Sequence, residues 1–181
     1  NSVYKAENGA GYVFVSGESF IATDNEGNVT SETELKDTVE TNAKKLIAST
    51  LTEIDISGYA DMPSQVQKAY KTASGNYVFD LRAAGYGING DKYTASGEYI
   101  YIKVSATADS KIIACETVSQ KESDGIGSAC ADSSFYTQFN GKTADTYKDI
   151  DAISGATVTT NGYTTAISKV FEAINILKGG A

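Results

Sequence analysis

The sequence predicts an α+β fold, in which helices pack against an antiparallel sheet. Residues 98–118 contain short runs of β-branched and aromatic side chains, and polar and apolar positions alternate along them as in half-buried strands. Residues 160–177 instead repeat apolar side chains at helical spacing. We therefore expect a meander of strands followed by a long C-terminal helix.

The first elements are expected to be a strand and a helix. The run Gly11–Ser16 has the composition of a strand, and residues 25–28 (Asn-Glu-Gly-Asn) that of a turn. A helix is predicted to begin at Ser31, because Glu34 three residues later completes a capping box. Apolar residues on one helical face extend this prediction to about residue 50. Residues 58–63 then form a loop.

The central part of the chain is predicted to be a meander of strands. After a strand that begins near Val66, further strands are expected over residues 76–81, 98–106 and 111–118. In the second of these, Ile100, Ile102 and Val104 share one face. A glycine-bearing loop over residues 119–134 and a short helical turn over 135–139 follow. The final helix is predicted over residues 160–177, ended by Gly179 and Gly180.

An internal similarity links the beginning and the middle of the chain. Tyr4-Lys5 precedes Tyr12-Val13-Phe14, and Tyr70-Lys71 similarly precedes Tyr77-Val78-Phe79. Two interpretations are open: the segments are similar strands of one sheet, or residues 1–32 are the remnant of an upstream repeat. We divide the chain into an N-terminal extension, residues 1–60, and a main domain, residues 61–181.

The net charge and the scarcity of histidine and arginine argue against several classes of function. A net charge of −8 argues against nucleic-acid binding, which needs a basic face. The chain has no histidine, which argues against Ser-His-Asp and Cys-His catalysis and against the usual zinc sites; we expect no metal. Arg82 is the sole arginine, so a bound phosphate must be held by backbone N–H groups, hydroxyls or lysines.

Composition leaves the cellular compartment open. No run of 18 apolar residues and no signal peptide are present, so the protein is either cytosolic or has lost an export or anchor segment. Cys115 and Cys130 are too few for a disulfide scaffold, although one bridge between them is compatible with the sequence.

Residues 151–157, Asp-Ala-Ile-Ser-Gly-Ala-Thr, form a hydroxyl-rich run of small residues before the last helix. A helix N-terminus with exposed N–H groups attracts a phosphate. The alternative is that the hydroxyls of this region only cap the helix. Those hydroxyls belong to Ser154, Thr157, Thr159 and Thr160.

The same run resembles the flavinylation motif of the family that includes the G subunit of Rnf-type complexes and the C subunit of sodium-pumping NADH:quinone oxidoreductases. That motif reads Asp, two variable residues, Ser or Thr, Gly, Ala, Thr, and every fixed position is present. In the family the last threonine accepts FMN as a phosphoester, installed by a separate flavin transferase that uses FAD. The resemblance makes Thr157 the acceptor.

Further segments resemble the family in the same order, over residues 64–178. They are Gly-Tyr-Gly at 85–87, Glu-Ser-Asp-Gly-Ile-Gly at 122–127, and the Phe, Gln-Phe and Gly-Lys elements of residues 135–142. The family usually has Glu-Thr-Pro-Gly-Leu-Gly at the second, so Asp124 replaces a proline. Residues 88–97 lengthen the first hairpin, and residues 1–60 lie outside the resemblance.

The resemblance implies a set of flavin-binding residues. Gly125 and Gly127 would let the backbone approach a flat ring, Ile126 would contact its face, and Gly155 with Ala156 would clear space beside the phosphate. Asp151 would hold the turn or be recognised by the transferase, unless it is a solvated loop acid. Glu122 is either a cofactor contact or a surface acid. Ser154, Thr159 and Tyr86 complete the set.

The predicted function is an electron carrier with FMN as its cofactor. The chain shows no nicotinamide-binding fingerprint, and a tethered flavin suits a site outside the cytoplasm, at a bacterial-type cell surface or the outer face of the membrane. Partners would be the flavin transferase and redox proteins, with membrane association through a segment outside this sequence. Alternatives are a flavin-free binding module of the same fold and an extracellular flavin reductase.

Overall fold

The computed structural model describes residues 51–72 and 74–179, together with the backbone of the strand residues 2–5, 12–16, 19–23 and 29–34. The chain divides into two compact units, Asn1–Thr52 and Glu53–Ala181. No helix in the described part of the chain has the length and apolar character needed to cross a membrane.

The first unit contains an antiparallel sheet of four strands in chain order. The strands are β1 (Ser2–Lys5), β2 (Tyr12–Ser16), β3 (Ser19–Thr23) and β4 (Val29–Glu34). The strand predicted over Gly11–Ser16 is confirmed as β2.

The helix predicted to begin at Ser31 is wrong at its start, because Ser31 and Glu34 lie in β4. β4 pairs with β3 along its whole length, with Ser31 opposite Ala22 and Glu34 opposite Ser19. The β-branched residues Val29, Thr30 and Thr33 favour this extended pairing over a capping box. The rest of the predicted helix, and the turn predicted at residues 25–28, lie outside the described residues.

The second unit is built on a five-stranded sheet in the order β5-β6-β7-β8-β9. The pairings β6–β7, β7–β8 and β8–β9 are antiparallel. Its strands are β5 (Leu51–Ile54), β6 (Val66–Thr72), β7 (Tyr77–Ala83), β8 (Ile100–Ala106) and β9 (Ile112–Ser119). The predicted meander is confirmed, with bounds shifted by one or two residues.

The helices of this unit are α1 (Tyr86–Asn89), α2 (Ser133–Tyr136) and α3 (Thr157–Gly179). Single 3₁₀ turns occur at Ile56–Gly58, Gly127–Ala131 and Thr137–Phe139. The predicted helical turn near residue 135 is therefore α2 with the 3₁₀ turn after it. The long helix begins at Thr157, three residues before its predicted start.

The core lies between one face of the sheet and α3. In β8, Ile100, Ile102 and Val104 are buried while Tyr101 and Lys103 are exposed, as the alternation predicts. The facing side of α3 buries large side chains at helical spacing. The fully buried ones among them are Tyr163, Ile167, Val170 and Ile174. An α+β fold with a sheet covered by a C-terminal helix is thus confirmed.

The two sheets share a strand register. In each, a Tyr-Lys pair faces a Tyr-Val pair across a hairpin: Tyr4–Val13 and Lys5–Tyr12 in the first, Tyr70–Val78 and Lys71–Tyr77 in the second. The interpretation that these segments are strands of one sheet is wrong, because β1 and β2 lie in one sheet and β6 and β7 in the other.

The correspondence continues into the next two strands. The register shifts between Ala22 and Thr23 in β3, and between Ser105 and Ala106 in β8. Thr23 lies opposite Tyr12 and Ala106 opposite Tyr77, so the two irregularities occupy matching places. Five residues then separate β3 from β4, and five separate β8 from β9. The connections before β3 and β8 differ in length, since two residues join β2 to β3 whereas sixteen join β7 to β8.

Gly162 sets the distance between α3 and the end of β7. A Cβ at this position would lie against the carbonyl oxygen of Ala84 and 2.8 Å from its carbonyl carbon. Both contacts are with backbone, which cannot rotate away as a side chain can. The close approach brings the start of α3 against the Ala84–Gly85 segment.

We expect Gly162→Ala to destabilise the protein. Overpacking costs about 1–3 kcal/mol, which exceeds the gain of about 1 kcal/mol from alanine's helix propensity. The measurement is the urea midpoint at constant slope. Asn161→Ala, at an exposed neighbouring position, is the control and should change the free energy of unfolding by less than about 0.5 kcal/mol. A rise in stability for Gly162→Ala would contradict the close approach.

Candidate functional site

A tight turn precedes α3 and presents its first residues. The N–H of Ala156 donates to the carbonyl of Ile153 at 3.0 Å, closing a β-turn. Gly155, third in this turn, has a φ of +73°, which a residue with a side chain adopts only with strain. The hydroxyl of Thr160 accepts from the N–H of Ile153 at 3.1 Å and fixes the turn to the helix.

The N-terminus of α3 has no side-chain cap. Ala156 occupies the position where serine, threonine or aspartate would accept an N–H. The N–H of Thr160 donates to the carbonyl of Ala156 at 2.9 Å. Within the described residues, no group accepts from the N–H groups of Thr157, Val158 or Thr159. The positive end of a 23-residue helix is therefore open to an anion.

The four hydroxyls of this region divide into two pairs. Thr159 and Thr160 are buried, and each uses its hydroxyl within the protein. Ser154 and Thr157 are exposed, and their side chains contact no partner by hydrogen bond in the described part of the chain. Hydrogen bonds within the protein therefore account for the hydroxyls of Thr159 and Thr160 only. The Thr157 hydroxyl is accessible beside the open N–H groups.

Glu122 is buried below this helix start, with 7% of its surface exposed. Its carboxylate accepts from the N–H groups of Tyr86 and Gly87, each at 2.8 Å, and from the hydroxyl of Thr159. The alternative that Glu122 is a surface acid is wrong.

The loop from residue 122 to 127 lies against the first turn of α3. Gly127 is buried, and a Cβ there would lie 2.7 Å from the Thr159 hydroxyl. A Cβ at Gly155 would lie 3.9 Å from a methyl of Ile126, so the loop also reaches the turn. Ile126 is 47% exposed beside it. Gly125 is exposed with open space around it.

Asp151 is anchored by its backbone rather than by its side chain. Its N–H donates to the side-chain oxygen of Gln138 at 2.7 Å, and its carbonyl accepts from the Gln138 amide at 3.4 Å. The carboxylate is exposed. Sequence reasoning missed this role of Gln138, although the Gln-Phe element of the resemblance includes it.

The hydroxyl and the backbone N–H of Tyr86 contact different residues. Its hydroxyl donates to Asp91 at 2.6 Å and contacts the Thr94 hydroxyl at 2.9 Å. Hydrogen bonds from Thr94 and Tyr86 hold the pKa of Asp91 below its ordinary value. The hydrogen bond between Tyr86 and Glu122 therefore uses the backbone N–H of Tyr86.

A cleft of about 330 Å³ flanks the first half of α3. Val158, Gly162 and Thr165 line it from the helix, and Ala84 lines it from the end of β7. Three carboxamides, from Gln65, Asn89 and Asn161, complete the lining. No motif in the sequence indicated this cleft, because its residues come from three separate segments.

The two cysteines are free thiols in the core. Burial raises the pKa of each to about 12. The Cys115 sulfur lies 3.5 Å from the hydroxyl of Tyr163. The bridge that the sequence allowed is not formed.

Comparison with known proteins relates this site to a family. Residues 96–172 match the FMN-binding domain, a stretch that includes the 122–127 loop and Thr157. Over 123 residues the chain is 31% identical to the G subunit of the proton-translocating ferredoxin:NAD(+) oxidoreductase complex of Clostridium ljungdahlii. The alignment covers 63% of this chain and 60% of that relative, so the chain spans about three fifths of the relative's length.

Both thiols should resist iodoacetamide in the native protein at pH 8. Each is buried, and a pKa of about 12 keeps it protonated, whereas the thiolate is the reactive form. In urea, intact-mass spectrometry should show two alkylations. A denatured but unreduced sample that takes no label would instead indicate a disulfide.

Proposed function

We propose that this chain is an electron carrier with FMN joined to Thr157 as a phosphoester. Residues 96–172 form a domain of the FMN-binding family, and FMN is its cofactor. The observation that carries the proposal is the exposed Thr157 hydroxyl at the uncapped N-terminus of α3. When bound, the flavin supplies the redox chemistry, and the protein supplies position and electrostatics.

The residues at this end of α3 fit a phosphate. Three adjacent N–H groups, from Thr157 to Thr159, have no acceptor within the described residues. They lie at the positive end of the helix dipole, which favours a negative group. Gly155 adds no side chain beside them. We propose that these N–H groups and the helix dipole hold the phosphate in place of arginine side chains.

Residues next to the turn would contact the remainder of the cofactor. Ile126 offers a half-exposed apolar surface beside Gly155, and Gly125 leaves open space. An apolar side chain can pack on the face of a flat ring. We propose Ile126 as a ring contact and Gly125 as the position that lets backbone approach it.

Attachment requires access by a flavin transferase. Thr157, Ser154 and the carboxylate of Asp151 are all exposed on the same short segment. The Gln138 side chain hydrogen-bonds the backbone of Asp151 at the start of this segment. We propose that the transferase recognises this exposed face.

A tethered flavin fits a protein outside the cytoplasm, where a lost cofactor would not be replaced. We propose this location, at the cell surface or the outer face of the membrane, with membrane association through a segment outside the sequence. Redox partner proteins would deliver and remove electrons. The relative's name, as one subunit of an oxidoreductase complex, supports such partners.

We also propose that residues 1–32, for which a repeat remnant was one open interpretation, belong to a copy of the meander in the second unit. The support is the shared register of β1–β4 and β6–β9, including the matching irregularity and the equal connections before β4 and β9. The copy replaces the Gly85–Gly87 region by a two-residue connection. The flavin would therefore belong to the second unit.

With a flavin transferase and FAD present, the protein should gain the mass of one FMN less one water. Thr157→Ala should abolish this gain, because Thr157 carries the exposed hydroxyl of the first helical turn, whereas those of Thr159 and Thr160 are buried and hydrogen-bonded within the protein. Intact-mass spectrometry and peptide mapping measure it. Thr165→Ala, an exposed threonine two turns along α3, is the matched control and should load normally. An adduct that persists in Thr157→Ala would overturn the assignment.

The loaded protein should react rapidly with dithionite or a partner protein but slowly with NADH or NADPH. The chain has no histidine and one arginine with which to bind a nicotinamide nucleotide. Stopped-flow absorbance of the flavin measures each rate. Exchange with a basic partner should slow as salt rises, because screening weakens its attraction to a chain of net charge −8. Fast, saturable reduction by NADH would make the protein a reductase.

A further inference from the structure

We infer that Glu122 is a positioning residue of the flavin site, which holds the Gly85–Gly87 turn, the 122–127 loop and the first turn of α3 in one arrangement. The inference rests on the proposed function of Thr157. It gives Glu122 a role through its protein neighbours.

The contacts of the carboxylate join three segments that are distant along the chain. One oxygen accepts from the Gly87 N–H at 2.8 Å. The other accepts from the Tyr86 N–H at 2.8 Å and from the Thr159 hydroxyl. Glu122 itself begins the third segment, and its own N–H donates to the Gln120 side chain at 2.6 Å. Each segment is therefore fixed relative to the other two.

The negative charge of Glu122 strengthens the hydrogen bonds that it accepts. No lysine or arginine forms a salt bridge with Glu122 among the described residues. A buried carboxylate without such a partner depends on hydrogen bonds to replace water. The positive end of α3 adds favourable electrostatics, since Thr159 lies in the first turn. Loss of any one donor leaves a buried charge with fewer partners than it needs.

The glycines around Glu122 show how closely the segments approach. A Cβ at Gly85 would lie 2.7 and 2.8 Å from the two carboxylate oxygens. A Cβ at Gly127 would lie 2.9 Å from the Cβ of Glu122. Both positions must therefore lack a side chain for the carboxylate to sit between the turn and the loop.

The arrangement extends to the flavin acceptor. Thr159 is two residues after Thr157, so its hydrogen bond to Glu122 fixes the helix turn that carries the acceptor hydroxyl. Ile126, four residues after Glu122, reaches the Gly155 turn. A release of Glu122 would loosen both sides of Thr157 together.

Four substitutions test this role. Glu122→Gln removes the charge, and its amide nitrogen cannot accept a hydrogen bond. Thr159→Val removes the donor hydroxyl at similar shape, whereas Thr159→Ser retains it. Glu116→Gln, at an exposed position of β9, is the matched control. Circular dichroism verifies that each variant is folded, and the Thr159 pair carries the test if Glu122→Gln does not fold.

The first measurement is the rate of FMN transfer to Thr157, followed by intact mass. We expect Glu122→Gln and Thr159→Val to slow transfer about tenfold or more, as for a buried group left unsatisfied. Thr159→Ser should stay within about twofold of the unmodified protein, because the hydrogen bond is kept. Equal rates for Thr159→Val and Thr159→Ser would overturn the inference, since a bulk packing role would treat both alike.

The second measurement needs no flavin. Hydrogen exchange at the Tyr86 and Gly87 amides should accelerate about tenfold in Glu122→Gln, because both amides lose their charged acceptor. Unchanged exchange would overturn the inference even if loading fell. The protein without substitutions could accept no FMN while exchange at these amides accelerates in Glu122→Gln as expected. In that case the proposed function fails, and the role of Glu122 in ordering the site stands.

Discussion

Three stretches of chain meet at one buried carboxylate, that of Glu122. Its oxygens accept from two backbone N–H groups after β7 and from a hydroxyl in the first turn of α3. Glu122 follows the end of β9, and Thr159 is held by the packing of the buried face of α3 in the core. We propose that the site at Thr157 depends on this junction, because Glu122 links the Gly85–Gly87 turn, the 122–127 loop and the first turn of α3.

The start of α3 can stabilise negative charge on two sides, one buried and one exposed. Inside, the Thr159 hydroxyl donates to Glu122, which compensates a buried negative charge. Outside, the N–H groups of Thr157 to Thr159 have no acceptor in the described part of the chain, so a second anion can bind there. A cap residue at position 156 would use one of these donors, and alanine leaves it available.

The two sheets are meanders with the same strand register but with different connections. Their strands pair in the same register and share one irregularity at a matching place, between Ala22 and Thr23 and between Ser105 and Ala106. The second sheet has a long connection between β7 and β8, and this connection contains the Gly85–Gly87 turn that binds Glu122. The shared pairing supports the sheet, whereas the longer connection provides the donors on which the proposed flavin site rests.

The sequence by itself determined strands β6 to β9 of the second sheet and the helical face of α3, because alternation and helical spacing are local patterns that burial enforces. It also indicated the Asp151–Thr157 segment, since the order of small and hydroxyl-bearing residues is visible without a structure. It did not predict β5. Only the tertiary structure decided that Ser31 lies in a strand, where pairing with β3 overrides a local capping pattern. It alone assigned Glu122, Gly127 and Thr159 to one buried contact, and brought Gln138 to Asp151. The reason is physical: hydrogen bonds between residues 36 or 37 positions apart follow from how the elements pack, and no periodicity in the sequence encodes them.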